Sequence, residues 1–342
     1  MTRRHNVKVR PSSGFTLIEL MVAMLLGLIV IAGVVSVFLA TQQSYRTNQA
    51  LGDVQDSSRI AFEMMARDIR DAGLTGCDNS GRIGNVLANG PNKGGTPAWW
   101  ANIGNGAAGY GAVAGYGAGT ATTDPALTVG TAAGQQVTGT DSVALLGAAE
   151  SGLSVLSDNQ VTAQFVLNEV SSTLQAGDVL MVCDPDHSAI FQVTSYASAS
   201  KTVNYVTGSG TPGNCSQGLD YPTACTTTGN SYTFSPNAQI AEMTAADWYL
   251  GNNPVGGTSL YRMVLNNATG QEMVRDVTAM SILYHQPPNT SFVAAKAVTN
   301  WGLVDAIQVA LTVQSTDQRA GTDVKPISRT FTATTTIRNR VK

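Results

Sequence analysis

Histidine is scarce in this chain: there are three in 342 residues, and only His187 and His285 lie beyond the first few positions. Cysteine is nearly as rare, at four, and no two cysteines show the C-x2-C spacing of a zinc site. There is no G-x-S-x-G elbow, no H-E-x-x-H and no phosphate loop ending in Gly-Lys-Ser/Thr. These absences remove the common hydrolase, metalloprotease and nucleotide-hydrolysing readings. The expectation is a non-enzyme with no catalytic residue, no metal ligand set and no cofactor. Charge is also sparse, at 13% of positions with a net of −3, and setting four N-terminal cations aside takes it to about −7. That balance argues against an indiscriminate nucleic-acid binder, although Lys325, Arg329, Arg338, Arg340 and Lys342 crowd the C-terminus. With 43% hydrophobic residues the chain has ample length for a sizeable core.

One absence is local. From Leu20 to Ala40 no residue is charged, and as a helix this stretch rises about 30 Å, the thickness of a bilayer's hydrocarbon core. Arg3, Arg4, Lys8 and Arg10 precede it, while the first charge after it is Arg46. The positive-inside rule then places the N-terminus in the cytoplasm and sends the rest outward. The run is too long for the 7 to 15 apolar residues of a cleaved secretory signal. One acid, Glu19, stands at its start, where a membrane-buried carboxylate costs on the order of 2.5–3.5 kcal/mol and needs a compensating partner.

Gly14, Phe15, Thr16, Leu17, Ile18 and Glu19 stand in that order between the basic leader and the apolar run. This pattern resembles the class III signal of type IV pilins and pseudopilins. The resemblance implies that a prepilin peptidase cuts between Gly14 and Phe15 and methylates the new N-terminal residue. Cleavage leaves an amine on Phe15 with Glu19 four residues, about 6 Å of helix rise, deeper in the membrane. In a stack of offset parallel helices, the carboxylate of one subunit meets the amine of its neighbour, so each charge offsets the other's desolvation. Glu19 thus reads as an assembly residue; the alternative is an acid that snorkels to the headgroups.

Helical periodicity continues past the apolar run, with Leu51, Val54, Ala61, Phe62, Met65, Ile69 and Ala72 on one stripe and Asp56, Arg59, Glu63, Arg67 and Arg70 opposite. Gly73 is a natural C-cap. One helix from about Phe15 to Ala72 is expected, with no proline inside it. Residues 81–135 hold no period. They are rich in glycine, alanine, asparagine and threonine, with Trp99, Trp100, Tyr110 and Tyr116 interleaved. Gly104 to Gly109 formally spells G-x-G-x-x-G, but lacks the strand before and amphipathic helix after that a dinucleotide site requires. A loop or insert is expected there.

From Asp141 onward short strand-like segments dominate: 142–146, 161–167, 178–183, 190–195, 231–234, 260–265, 282–285, 305–313 and 328–338. Cys183-Asp-Pro-Asp-His187 is the densest polar cluster and reads as a turn between two strands. Met21, Met24, Met64 and Met65 follow helical spacing and read as packing residues. All four cysteines, Cys77, Cys183, Cys215 and Cys225, fall on the exported side, which suggests two disulfides. Three pairings are open. Nine residues including Gly218 and Pro222 make Cys215 to Cys225 an easy loop to close, leaving Cys77 with Cys183.

Four stretches narrow the resemblance to the PilW family of minor pilins: "ARDIRDAGLTGC", "DVLMVCDPDHSAIFQVT", "WYLGNNPVGGTSLYRM" and "RTFTATTTIRNR". The resemblance implies an α+β pilin-like lollipop, a long N-terminal transmembrane and amphipathic helix packed on a β-sheet-rich globular domain. The expected divisions are a cleaved leader at 1–14, a transmembrane half-helix at 15–40, an amphipathic half-helix at 41–73, an insert at 74–140 and a β-rich domain at 141–342. The implied function is that of a minor pilin that primes type IV pilus assembly and sits near the fibre tip. Its implied partners are the prepilin peptidase, other minor pilins, the major pilin, an inner-membrane assembly platform with its ATPase, and a tip adhesin. The implied location is the inner membrane in a single pass, N-terminus cytoplasmic and globular domain periplasmic, then the extracellular pilus tip. A minor pseudopilin of type II secretion and a tip binding module are the alternatives.

Overall fold

The computed structural model describes residues 14–73, 82–103, 112–117, 124–265, 267, 269–338 and 340. It begins with one helix, α1 (Leu17–Asp71), of 55 residues. Phe15 and Thr16, expected inside this helix, lie just outside it. At its far end Gly73 takes a left-handed φ of 77°, the conformation that ends helices and that glycine adopts without strain. The Gly73 N–H donates to the Leu146 carbonyl at 2.8 Å. Arg70 in the last turn complements the helix dipole.

Fifteen strands follow among the described residues. They are β1 (Ile83–Asn85), β2 (Val113–Tyr116), β3 (Ser142–Asn159), β4 (Gln164–Leu167), β5 (Val179–Cys183), β6 (Ser188–Gln192), β7 (Ser195–Ala197) and β8 (Thr202–Asn204). The remainder are β9 (Gln239–Asn252), β10 (Thr258–Val264), β11 (Gln271–Arg275), β12 (Val277–His285), β13 (Phe292–Ala294), β14 (Ala306–Gln314) and β15 (Ser328–Thr336). Strands β1 to β11 form one sheet in the path β1-β6-β5-β9-β3-β4-β8-β7, with β2 added to β3 and the β10–β11 hairpin added to β9. Strands β13-β12-β14-β15 form a second sheet. The fold is α+β, one long apolar-headed helix and a β-rich globular unit.

The chain divides into two compact units, the residues up to Gly52 with Thr316–Ile327, and Asp53–Ser315 with Ser328 onward. In the first, the apolar side chains from Phe15 to Leu39 are exposed, and the loop 316–327 is fastened to α1. In the second, the last five turns of α1 supply Val54, Ala61, Met65 and Ile69, with Ala72 just past its end, to a core completed by Val143, Leu145, Trp248 and Leu250 of the large sheet and Ile282, Ile307, Val309 and Leu311 of the small one. Each Val, Leu, Ile or Met side chain among them contributes about 1.5–3 kcal/mol by leaving water. One acid interrupts the stripe. Asp68 accepts from Trp248 Nε1 at 2.8 Å and from Arg262 Nε and Nη2 at 2.7 and 3.0 Å. A second core, built on Phe165, Phe191, Tyr205 and Phe234, lies around β4 to β8.

Two expectations are corrected here. The segment Ser231 to Phe234 is not a strand; its Tyr232 and Phe234 instead pack edge to face, 4.9 Å between ring centres, beside the second core. The stretch 81–135, expected as loop, contributes two short strands: β1 runs parallel to β6, and β2 runs antiparallel to β3. Trp100 is buried there, and Asn85 donates its amide to the Ala101 and Ile103 carbonyls, both at 2.8 Å. Three- and four-residue strands are too short for an alternation pattern to register.

Candidate functional site

Thr16 and Glu19 make the start of α1. The Thr16 hydroxyl oxygen accepts from the Glu19 N–H at 3.3 Å, while Glu19 Oε2 accepts from the Thr16 N–H at 3.2 Å and from its hydroxyl at 2.9 Å. With Leu17 the first helical residue, Thr16 is the N-cap and Glu19 the third residue of the helix. This is a reciprocal capping box, in which two otherwise unpaired backbone donors are satisfied. The carboxylate also sits where the helix dipole favours negative charge. Both donors converge on Oε2, and Oε1 receives no hydrogen bond among the described residues.

The surroundings are open. Phe15, Leu17 and Ile18 are at least 70% exposed, and a β-carbon at Gly14 would meet nothing within 4 Å. Among the described residues, no packing contact demands glycine at 14. T-x-x-E ahead of an apolar run is the sequence signature of such a box, and it gives Glu19 a role within its own chain that neither the assembly nor the snorkelling expectation includes.

The other sequence-singled residues fall elsewhere. Cys215 and Cys225 are joined by a disulfide with Cα atoms 5.0 Å apart. Cys183, at the end of β5, is disulfide-bonded; Cys77 lies outside the described residues, as does the Gly104–Gly109 motif. The Asp184 to His187 segment is a turn: Asp184 Oδ1 accepts from the Asp186 and His187 N–H groups at 3.1 and 3.0 Å, and Oδ2 accepts from Tyr232 Oη at 2.7 Å. His187 is buried, with Nε2 2.6 Å from the Leu219 carbonyl and its ring 4.3 Å from that of Tyr232. Among the described residues, no cluster of three or more His, Cys, Asp or Glu side chains is arranged to hold a metal.

Two polar sites escaped the sequence reading. A cavity of about 500 Å³ lies beside the C-terminal end of α1, lined by Arg67, Asp68, Asp71, Glu150, Arg262 and Arg338 among others. Asp68 was detectable, since it falls on the apolar stripe of Ala61, Met65 and Ala72 where solvent does not compensate an acid. The second site is a buried acid pair. Asp247 on β9 is wholly buried, no donor among the described residues reaches either of its oxygens, and it interacts with the carboxyl of Asp124. Asp124 in turn accepts from Ser142 Oγ and from the Ala126 N–H. Burial pushes both carboxyls up, Asp247 well above the usual range. No sequence signal marks this pair, because Asp124 and Asp247 meet only through the packing of the 124–136 segment on β3 and β9.

Residues 9–35 match the prokaryotic N-terminal methylation motif. No curated protein and no solved structure matches the chain. The motif extends over the first turns of a helix long and apolar enough to cross a membrane, and together they support a type IV pilin-like or pseudopilin protein that is processed by prepilin peptidase and anchored in the inner membrane. The same motif points to a structural protein rather than an enzyme.

Proposed function

We propose that this chain is a minor pilin of the PilW kind, cleaved after Gly14, methylated on Phe15, and used with other minor pilins to prime type IV pilus assembly before being carried out near the fibre tip. The observation that carries the reading is the methylation motif over residues 9–35, which takes in Glu19 and most of the uncharged stretch Leu20 to Ala40. Residues 1–14 are then the leader, 15–40 the membrane half of the stem, 41–73 its amphipathic half, 74–140 an insert, and 141–342 the exported β-rich domain. Cys77 to Cys183 is the second disulfide.

Glu19 has two partners in this account. Within its own chain it caps α1 through Oε2, and this use survives cleavage because Thr16 keeps its amide N–H when the new amine appears on Phe15. Its remaining oxygen is left for the Phe15 amine of a neighbouring subunit, a pairing that offsets two desolvation costs at once. Support for the PilW assignment comes from the four stretches that resemble that family, which fall on the end of α1, the β5–β6 turn, the β9–β10 hairpin and β15.

The test is a strain lacking this chain. Pilus number falls while type II secretion is unchanged if the chain is a minor pilin. Lost secretion with normal pili moves it to the minor pseudopilins.

A further inference from the structure

We infer that the loop Thr316–Ile327 is a membrane-contacting collar that seats on the phospholipid headgroups at the outer end of the spanning helix. The inference rests on the reading of Leu20 to Ala40 as the membrane span. Loop and helix belong to one compact unit, and the fastening is specific. Gln43 Nε2 lies 3.2, 3.0 and 3.1 Å from the Arg319, Ala320 and Gly321 carbonyls, and Thr47 Oγ1 donates to the Ala320 carbonyl at 2.5 Å. Gln43, Thr47 and Ala50 are the less exposed residues of this part of α1, one stripe at three- and four-residue steps, and Ala320 is fully buried.

Helix rise fixes the height of this contact. Gln43 lies three residues past Ala40, roughly 4.5 Å beyond the hydrocarbon edge, and Thr47 roughly 10 Å. The headgroup layer occupies about 5–7 Å on each side of the bilayer. A loop whose carbonyls are held by Gln43 is therefore held in or against that layer.

The chemistry of the loop suits lipid. Arg319 and Lys325 are exposed, as is Arg46 on the helix, and none of the three makes an ion pair among the described residues. The loop's acids, Asp317 and Asp323, accept from the Arg319 and Lys325 backbone N–H groups at 2.8 and 3.3 Å. Val324, between Asp323 and Lys325, holds a left-handed φ of 58° and is 64% exposed. A β-branched residue in that conformation is a backbone outlier, and an outlier of this kind points to function. Exposing its apolar side chain to water adds a second cost, which the headgroup–acyl boundary removes. Tyr45, 68% exposed at the same level, is the residue type enriched at membrane interfaces. The occupant is the anionic phospholipid surface of the membrane that holds the helix.

The test uses the full chain in nanodiscs of phosphatidylcholine alone or mixed with phosphatidylglycerol, with a diazirine-bearing residue placed at position 324, 255 or 28. Position 324 should give phospholipid adducts, more abundant in the mixed discs, and Val255, exposed on the β9–β10 hairpin, should give few. The double change Arg319→Glu, Lys325→Glu should lower the adduct yield at 324 in mixed discs by roughly fivefold or more. Adducts at 28 but none above the 255 level at 324 overturn the collar and leave the membrane span intact. Protein cross-links alone at 324 overturn it in favour of a protein partner. No lipid adduct at 28 removes the span, and the collar with it.

Discussion

At the scale of single residues, Glu19 and Asp247 are acids placed where acids are costly, for different reasons. Glu19 serves a helix end through Thr16 and, in the proposed function, a neighbour's amine. Glu19→Leu should leave processing and membrane level unchanged and reduce co-purification with partner minor pilins. Glu19→Gln is the sharper variant, because the amide oxygen can still cap Thr16 while the charge is gone. Recovery of partners at the normal level by Glu19→Gln would remove charge pairing from the mechanism. Asp247 is buried with a second acid, Asp124, and both titrate above the usual range because burial disfavours the charged form. The folded state therefore holds these protons more tightly than the unfolded chain. Their contribution to stability is complete below the unfolded value of about 3.9 and is lost as pH rises through the folded values. Asp158, pushed up to about 6 by burial, acts in the same direction over the interval from about 4 to about 6. Asp247→Asn keeps a donor toward Asp124 and removes one titration. Thermal melts across pH should show this variant losing less stability than the parent at mildly alkaline pH. Parallel curves would show that the pair does not titrate as described.

At the scale of elements, the stem was the most legible part, because an uncharged run followed by a periodic stripe leaves few alternatives; α1 ends within a residue of the expected point. The long strands β14 and β15 also stand out in the sequence, being rich in β-branched residues, whereas of β12 only the last four residues, 282–285, were expected. The central strand β9 does not. "QIAEMTAADWYLGN" is rich in Ala, Asp and Glu, which single strands disfavour, and it becomes a strand through pairing with β3, β5 and β10. Position in the middle of a sheet is a tertiary property, and so is the Asp124–Asp247 contact. The site was legible at Gly14 to Glu19, where signal and capping box are local, and illegible wherever it depended on distant strands. The Asp68 network joins the two levels, since it docks the end of α1 on β9 and β10. Asp68→Ala leaves the Trp248 indole and the Arg262 guanidinium without their acceptor and should destabilise the globular unit by roughly 1.5–3 kcal/mol. Urea denaturation of the fragment starting at Asp53, with the midpoint compared against Asp68→Asn, measures it. An unchanged midpoint for Asp68→Ala would mean that apolar packing alone docks the helix.

At the scale of the whole molecule, the chain combines a short signal read by an enzyme, a helix that changes solvent along its length, and a β-rich unit with its own core. The exposed apolar head of α1 is intelligible only in lipid or against other apolar helices, because water would leave its 18 large apolar side chains from Phe15 to Leu39 unfavourably hydrated. The proposed sequence of events follows from this: insertion with the leader inside, removal of the leader, and lateral association of stems through Glu19. Each later event depends on the first covalent one, because without cleavage no amine exists on Phe15 for a neighbour's Glu19 to meet. The most direct measurement is therefore mass spectrometry of the mature N-terminus of the protein isolated from its own membrane. The account predicts a chain beginning at Phe15 and bearing one added methyl group on its amine, and an uncleaved chain when Gly14 is replaced by valine. A mature protein that begins at any other residue, or that retains residues 1–14, would contradict it.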